Sequence, residues 1–333
     1  MATSLTVQKA QTPGNAPASA GVQKRRRGLG LGPTTGAAVA LVVLVVGNAL
    51  LTPNFATASN FWNVTLQVST VLLVAIGMTL VIATGGIDLS VGSIMAVAGA
   101  IAAVTRERGV GVAVLLALVG ALAVGAINGG LIARYRVQPI VVTLATLIAI
   151  RGVAQIVSND GELVPIDNAS FLTLGRGHLG PIPVQVVVAL LAVVLAIVAM
   201  RSTPFGRYVL AAGGNPAAAR LAGVPVSRTL VTVYAASALL SGVAGLIEAA
   251  RLGASDAAKI GLNVELDAIA AVVVGGTALT GGRATILGTV VGALIMQVIA
   301  TSFNMLLIPY AWSLALKAVI ILAAVFAQRP KRV

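Results

Sequence analysis

The stretch NVTLQVSTVLLVAIGMTLVIATGGIDLSVGS, residues 63–93, decides the class of this protein. Residues 63–84 hold no charged side chain and are long enough to cross a bilayer, which takes about 20 apolar residues as a helix. Gly85 and Gly86 then break the run, Asp88 follows, and a second apolar run begins at Leu89. An acid inside or beside a span is costly, so it faces protein or water and is often functional. The glycines permit a break and close helix packing.

The rest of the chain extends this pattern. Of 333 residues, 58% are hydrophobic and 9% charged, against about 25% charged in a soluble domain. The mean hydropathy is +1.01. The expectation is an all-α polytopic membrane protein with about ten spans, near 36–52, 63–84, 89–105, 109–133, 138–158, 184–200, 229–250, 266–282, 284–305 and 311–327. Residues 1–34 read as a disordered tail ending in the basic run Lys24–Arg27. That run followed by 36–52 has the order of a signal peptide, but there is no convincing small-residue cleavage site, so a retained first span is expected. Residues 35–328 form the transmembrane domain and 329–333 a short C-terminal end. Cysteine is absent, which excludes a disulfide scaffold, an iron–sulfur protein and a cysteine nucleophile. His178 is the one histidine, and no HExxH or Ser/Lys pair occurs, so no catalytic or metal-ligating residue is assigned.

The net charge of +13 invites a nucleic-acid reading, which the scattered bases and 4% aromatic content oppose. Topology explains it better. With both termini cytoplasmic, 15 of 22 bases fall inside, including Arg134, Arg136, Arg201, Arg207, Arg220, Arg228 and Arg283. Arg106, Arg108, Arg176 and Lys259 fall outside, in keeping with the positive-inside rule.

Two long connections remain, an outer one at 159–183 and an inner one at 201–228. In the inner one Asn215 suits an N-cap, Pro216 the first helical position and Gly223 a helix stop. A short helix on the cytoplasmic face is a natural docking element, or an ordinary connector. No lysine follows a glycine, so the chain lacks a Walker A phosphate cradle. ATP-driven transport would need a separate nucleotide-binding subunit.

A second acidic segment contains Glu265 and Asp267, followed by Gly275-Gly276-Thr277 and Gly281-Gly282. It lies five spans beyond the first, the offset of an inverted repeat. Asp88 and Asp267 are each candidates for a helix cap near Ser90 and Ala268 as much as for substrate contact. Glu248 and Arg251 are spaced to pair on one helix face. Gln67, Asn128 and Asn304 are intramembrane amides that line a pathway or bond between helices.

These motifs resemble the permease subunit of ribose/galactose-type ABC sugar importers. The similarity runs from Gly85–Ser93 through Val142–Leu147 with Arg151-Gly152, Gly206-Arg207-Tyr208, Gly213-Gly214-Asn215, Ala218–Gly223, Ser241-Gly242, Glu248–Gly253 and Glu265–Gly282. It covers roughly residues 50–327. The resemblance implies a multi-pass protein of the bacterial inner membrane that binds no cofactor itself, while ATP and Mg are used by a cytoplasmic ABC ATPase. It further implies a periplasmic or lipid-anchored sugar-binding protein and a second permease copy or paralogue. Coupling to the ATPase would fall to Gly206, Arg207, Gly214, Asn215, Ala218, Ala219, Arg220, Leu221 and Gly223. The pathway or gate would draw on Asp88, Ser90, Asn128, Gln67, Glu265, Asp267, Thr277 and Asn304. The competing expectations are an ABC permease for a nucleoside or branched-chain amino acid, and a stand-alone secondary transporter.

Overall fold

The structure, a computed structural model, describes residues 33–327. The expected N-terminal tail, apart from Pro33 and Thr34, and the C-terminal end 329–333 lie outside the described residues. Among the described residues thirteen α-helices form, in chain order α1 (Pro33–Leu51), α2 (Ala58–Ala83), α3 (Val91–Val104), α4 (Val110–Tyr135), α5 (Pro139–Val157), α6 (Ala169–Arg176), α7 (Val184–Ser202), α8 (Pro204–Gly214), α9 (Pro216–Leu221), α10 (Val226–Leu252), α11 (Val264–Val274), α12 (Ile286–Met305) and α13 (Tyr310–Ala327). Among the described residues, α1, α2, α4, α5, α7, α10 and α12 are long and apolar enough to cross a membrane.

The other three expected spans correspond to α3, α11 and α13. At about 1.5 Å per residue, the 14 residues of α3 and the 11 of α11 reach about 21 and 16 Å, short of a hydrocarbon core of about 30 Å. The expected span 266–282 is therefore a shorter helix. It stops at Val274 because Gly275-Gly276 turns the chain, with Gly276 at φ +91°. Both short helices start inside the bundle. A Cβ on Gly92, at the start of α3, would strike the carbonyl of Gly261, just ahead of α11. From there α3 runs towards Arg106 and α11 towards the 275–285 segment at the opposite end.

The core sits where α2, α3, α10, α11 and α12 meet. Small residues let the backbones approach, as membrane bundles require without a hydrophobic drive between helices. Gly77 of α2 lies against Ser237 of α10, Gly125 and Gly129 of α4 against Ala235 and Val231, and Gly245 of α10 against Met95. The outer helices expose apolar faces, as with Val43, Leu115, Ile148 and Leu191, the surface that lipid would cover.

The 159–183 connection folds as β1 (Val164–Pro165), α6, β2 (His178–Leu179) and β3 (Ile182–Pro183). β2 and β3 form a hairpin, and β1 pairs antiparallel with β4 (Ala254–Ser255) beyond α10. Gly175 of α6 rests against the Ile247 and Arg251 backbone, and Arg176 Nε donates to the Arg251 carbonyl at 2.9 Å.

Candidate functional site

Asp88 occupies the break between α2 and α3, where Gly85 takes φ +83°. Its Oδ1 accepts from the Ser90 amide at 3.0 Å and the Ser90 hydroxyl at 2.6 Å. Its Oδ2 accepts from the Ser237 hydroxyl of α10 at 3.2 Å. Ser90 Oγ accepts in turn from Asn128 Nδ2 of α4 at 3.0 Å, and Asn128 Oδ1 from Thr146 of α5 at 2.6 Å. Asp88, Ser90, Asn128 and Ser237 are wholly buried. The network fastens α4, α5 and α10 to the break and satisfies polar groups that would otherwise be stranded in an apolar interior. The expected helix cap is corrected here. Ser90 holds the cap position but its hydroxyl accepts from no helix amide, and Asp88 bonds the Ser90 amide ahead of the helix as an Asx turn.

Glu265 and Asp267 play different parts. Asp267 Oδ1 accepts from Lys317 Nζ of α13 at 2.7 Å. Its expected capping role is overturned: α11 already starts at Val264, so Asp267 lies in the first turn, beside a cation from another helix. Glu265 Oε2 lies against Gly92 at the start of α3. Nearby, Arg151 of α5 donates from Nη1 to the carbonyls of Ala257 at 2.9 Å and Ile260 at 2.8 Å. That guanidinium caps the turn leading into α11 and interacts electrostatically with Glu265 and Glu248. The expected Glu248–Arg251 ion pair does not form. The ion pairs among the described residues are Lys259–Asp256 and Lys317–Asp267.

A polar seam joins α2 and α12. Gln297 Nε2 donates to Gln67 Oε1 at 3.0 Å and to Thr301 Oγ1 at 3.2 Å. Asn63 and Gln67 lie on one face of α2, and Gln297, Thr301 and Asn304 on one face of α12. Asn63, Gln67 and Asn304 stay exposed on this single chain. Thr277 is buried elsewhere, its hydroxyl accepting from the Thr285 amide at 3.1 Å to close the 275–285 segment. The eight expected pathway residues thus divide among the Asp88 network, the α2–α12 seam, the α11 entrance, the Lys317 pair and the 275–285 turn.

Residues 201–228 hold the end of α7, all of α8 and α9, and the start of α10. Asn215 Oδ1 accepts from the Ala217 and Ala218 amides at 3.1 and 3.0 Å, and Pro216 fills the first position. Gly223 has φ +80°. Its amide bonds Arg220 O at 3.0 Å while Val224 bonds Ala219 O at 2.9 Å, a Schellman stop. Arg207, Gly214, Ala218, Arg220 and Leu221 are exposed; Gly206 and Ala219 are buried. Gly206 packs on the Met200 backbone. At the end of α8, a Cβ on Gly213 would strike Ala83 O and Gly282 N, which are themselves hydrogen-bonded at 2.9 Å.

The family model for the branched-chain amino acid transport system permease component matches residues 60–325. The chain belongs to this permease family. The permease is 40% identical over 299 residues to the ribose import permease protein RbsC of Escherichia coli (strain K12), covering 88% of this chain and 93% of that one. It is 39% identical to RbsC of Bacillus subtilis (strain 168), covering 90% and 93%, and 39% identical to the galactofuranose transporter permease protein YtfT of E. coli (strain K12), covering 87% and 88%. No solved structure matches the permease.

Several residues of the permease site carry no local sequence signal. Ser237 and Thr146 are ordinary hydroxyls in apolar helices, and their partners lie 149 and 18 residues away. The Gly213–Ala83–Gly282 junction is likewise assembled from three separate segments.

Proposed function

We propose that this chain is the membrane-spanning subunit of an ATP-driven importer that moves a monosaccharide into the cytoplasm. The observation that carries the reading is its 40% identity to a ribose import permease along 93% of that protein. Arabinose and fructose permeases are also among its relatives. The chain supplies the route and not the energy. A cytoplasmic ABC ATPase would bind ATP and Mg, and a periplasmic or lipid-anchored binding protein would deliver the sugar. A second permease copy or a paralogue would face the α2–α12 seam, whose exposed amides need a partner or water at membrane depth. Both termini would be cytoplasmic, which puts α8, α9 and the bases near them inside.

The ATPase would dock on the exposed side of α9, at Ala218, Arg220 and Leu221, with Arg207 of α8 beside it. Closure of the ATPase would push α8 against the Gly213–Ala83–Gly282 junction. From Ala83 the displacement reaches the Asp88 break, and from Gly282 it reaches α11. Transport requires that the two states differ in contacts, not that a group be catalytic.

Reconstitution in liposomes with the cognate ATPase and binding protein tests this. Uptake of radiolabelled ribose, galactofuranose, arabinose or fructose is expected only with ATP. Uptake by the chain alone, driven by an ion gradient, would refute the importer. The family description favours a second reading, a branched-chain amino acid, and labelled leucine in the same vesicles separates the two.

A further inference from the structure

The end of the bundle that carries α8 and α9 has a basic cavity lined by exposed arginines. A cavity of about 700 Å³ opens between the end of α4, α9 and the start of α10. Arg134, Arg136, Arg220 and Arg228 line it, with Ser227 and Thr232. None of the four arginines is in an ion pair among the described residues. Nor does this chain hold an acidic side chain to pair with them. Its nine acids are Asp88, Glu107, Asp160, Glu162, Asp167, Glu248, Asp256, Glu265 and Asp267. Glu107, Asp160, Glu162, Asp167 and Asp256 lie in connections at the opposite end, and the other four lie within the bundle. Arg136 and Arg220 also line an adjoining cavity of about 250 Å³. Tyr234 borders that cavity, and its hydroxyl is buried with no hydrogen-bond partner among the described residues.

We propose that this cavity binds the phosphate headgroup of an anionic phospholipid from the adjacent leaflet. Guanidinium forks match phosphate oxygens, and the first turn of α10 adds its positive dipole end and the Ser227 hydroxyl. Basic pockets between helices at a membrane surface suit such headgroups. The apolar flank of α4, where Leu131 is exposed next in sequence to the lining residue Gly130, gives the acyl chains a path. Because Arg220 belongs to α9, the lipid ties the surface helix to α4 and α10. The inference holds whichever solute the permease carries.

Native mass spectrometry of the full-length protein, titrated with phosphatidylglycerol or phosphatidylcholine, tests it. Wild type is expected to prefer phosphatidylglycerol. In R134Q/R228Q that preference falls about 25-fold, since each of the two bases near an anionic surface contributes about fivefold. R134K/R228K keeps the charge without the fork and falls between wild type and R134Q/R228Q, and R201Q/R283Q, which removes the same charge at the same end, leaves it intact. The proposal is overturned by unchanged preference in R134Q/R228Q, by equal loss in R201Q/R283Q, or by displacement of the lipid with soluble glycerol phosphate. It is overturned as well if R134Q/R228Q keeps its lipid but loses the ATPase, which makes the cavity a protein contact.

Discussion

The Asp267–Lys317 pair offers a quantitative test of how α11 and α13 are held together. The two groups are 2.7 Å apart with side chains 27% and 8% exposed. At an effective dielectric constant of about 20, their attraction is about 6 kcal/mol before desolvation is subtracted. Removing one partner leaves a lone charge in an apolar setting, at about 3 kcal/mol on insertion scales and about 3–5 kcal/mol for buried pairs. Replacing both with apolar side chains removes the desolvation penalty together with the attraction and is close to neutral. Lys317→Leu and Asp267→Leu should therefore each lower the melting midpoint on the order of 5–10 °C. The double variant should return to within about 2 °C of wild type. Thermal denaturation followed by size-exclusion recovery of detergent-solubilised protein reads this directly. Single variants that melt like wild type, or a double variant as unstable as the sum of its parts, would refute the assignment of a stabilising pair.

Asp88→Leu should sharply reduce the yield of folded protein, because it strands the Ser90 amide and the Ser237 hydroxyl at about 1–3 kcal/mol each. Asp88→Asn keeps an acceptor for the Ser90 amide and should be much milder; equal melting of the two variants would contradict the network. Gly213→Val drives a side chain into the Ala83 and Gly282 backbone at about 1–3 kcal/mol of strain. It should depress ATP-driven uptake in vesicles while the ATPase still co-purifies, and wild-type uptake would remove the junction from the mechanism. Leu221, 92% exposed, should tolerate Asp within about 0.5 kcal/mol of stability yet lose ATPase association in a pull-down. Ala219 is the wrong probe for that question, since it is buried against Ala212 and Val226 and Asp there disturbs the fold itself.

What the sequence made legible was local. The α9 helix follows from Asn215, Pro216 and Gly223, residues whose roles are set by the backbone within a few positions of them. The apolar runs, and the break at Gly85, are local in the same way. Partners distant in the chain were not legible. Spacing suggests that Asp267 caps a helix, but a lysine 50 residues away takes its carboxylate. Spacing also suggests Glu248 with Arg251, while Arg151 spends its donors on carbonyls 106 and 109 residues further on. Gln67 reads as an intramembrane amide, but its partner Gln297 lies 230 positions away. Hydropathy joins 266–282 into one span because near-neutral glycines do not interrupt an apolar average, whereas Gly276 adopts left-handed backbone just past Val274, where the helix ends.

The way the three glycine-lined segments meet bears on how a docked ATPase would act. Ala83 O is hydrogen-bonded to the Gly282 amide, and Gly213 packs on both with no room for a Cβ. Gly281 meets Gly85 and the Gly213 carbonyl at the same point. Contacts between backbones have no side-chain slack, and close-packed interiors transmit strain instead of absorbing it. A shift of α8 would therefore move the Gly85–Ser90 break and the 275–285 turn together. The first leads into α3 and the second follows α11, and these two short helices begin side by side at Gly92 and Gly261. In the proposed importer, one push at α9 would thus act on both half-length helices at once. That requires Asp88 to hold α10 and α4 to the break while it moves, a job for a hydrogen-bonded carboxylate that needs no exposure to the solute.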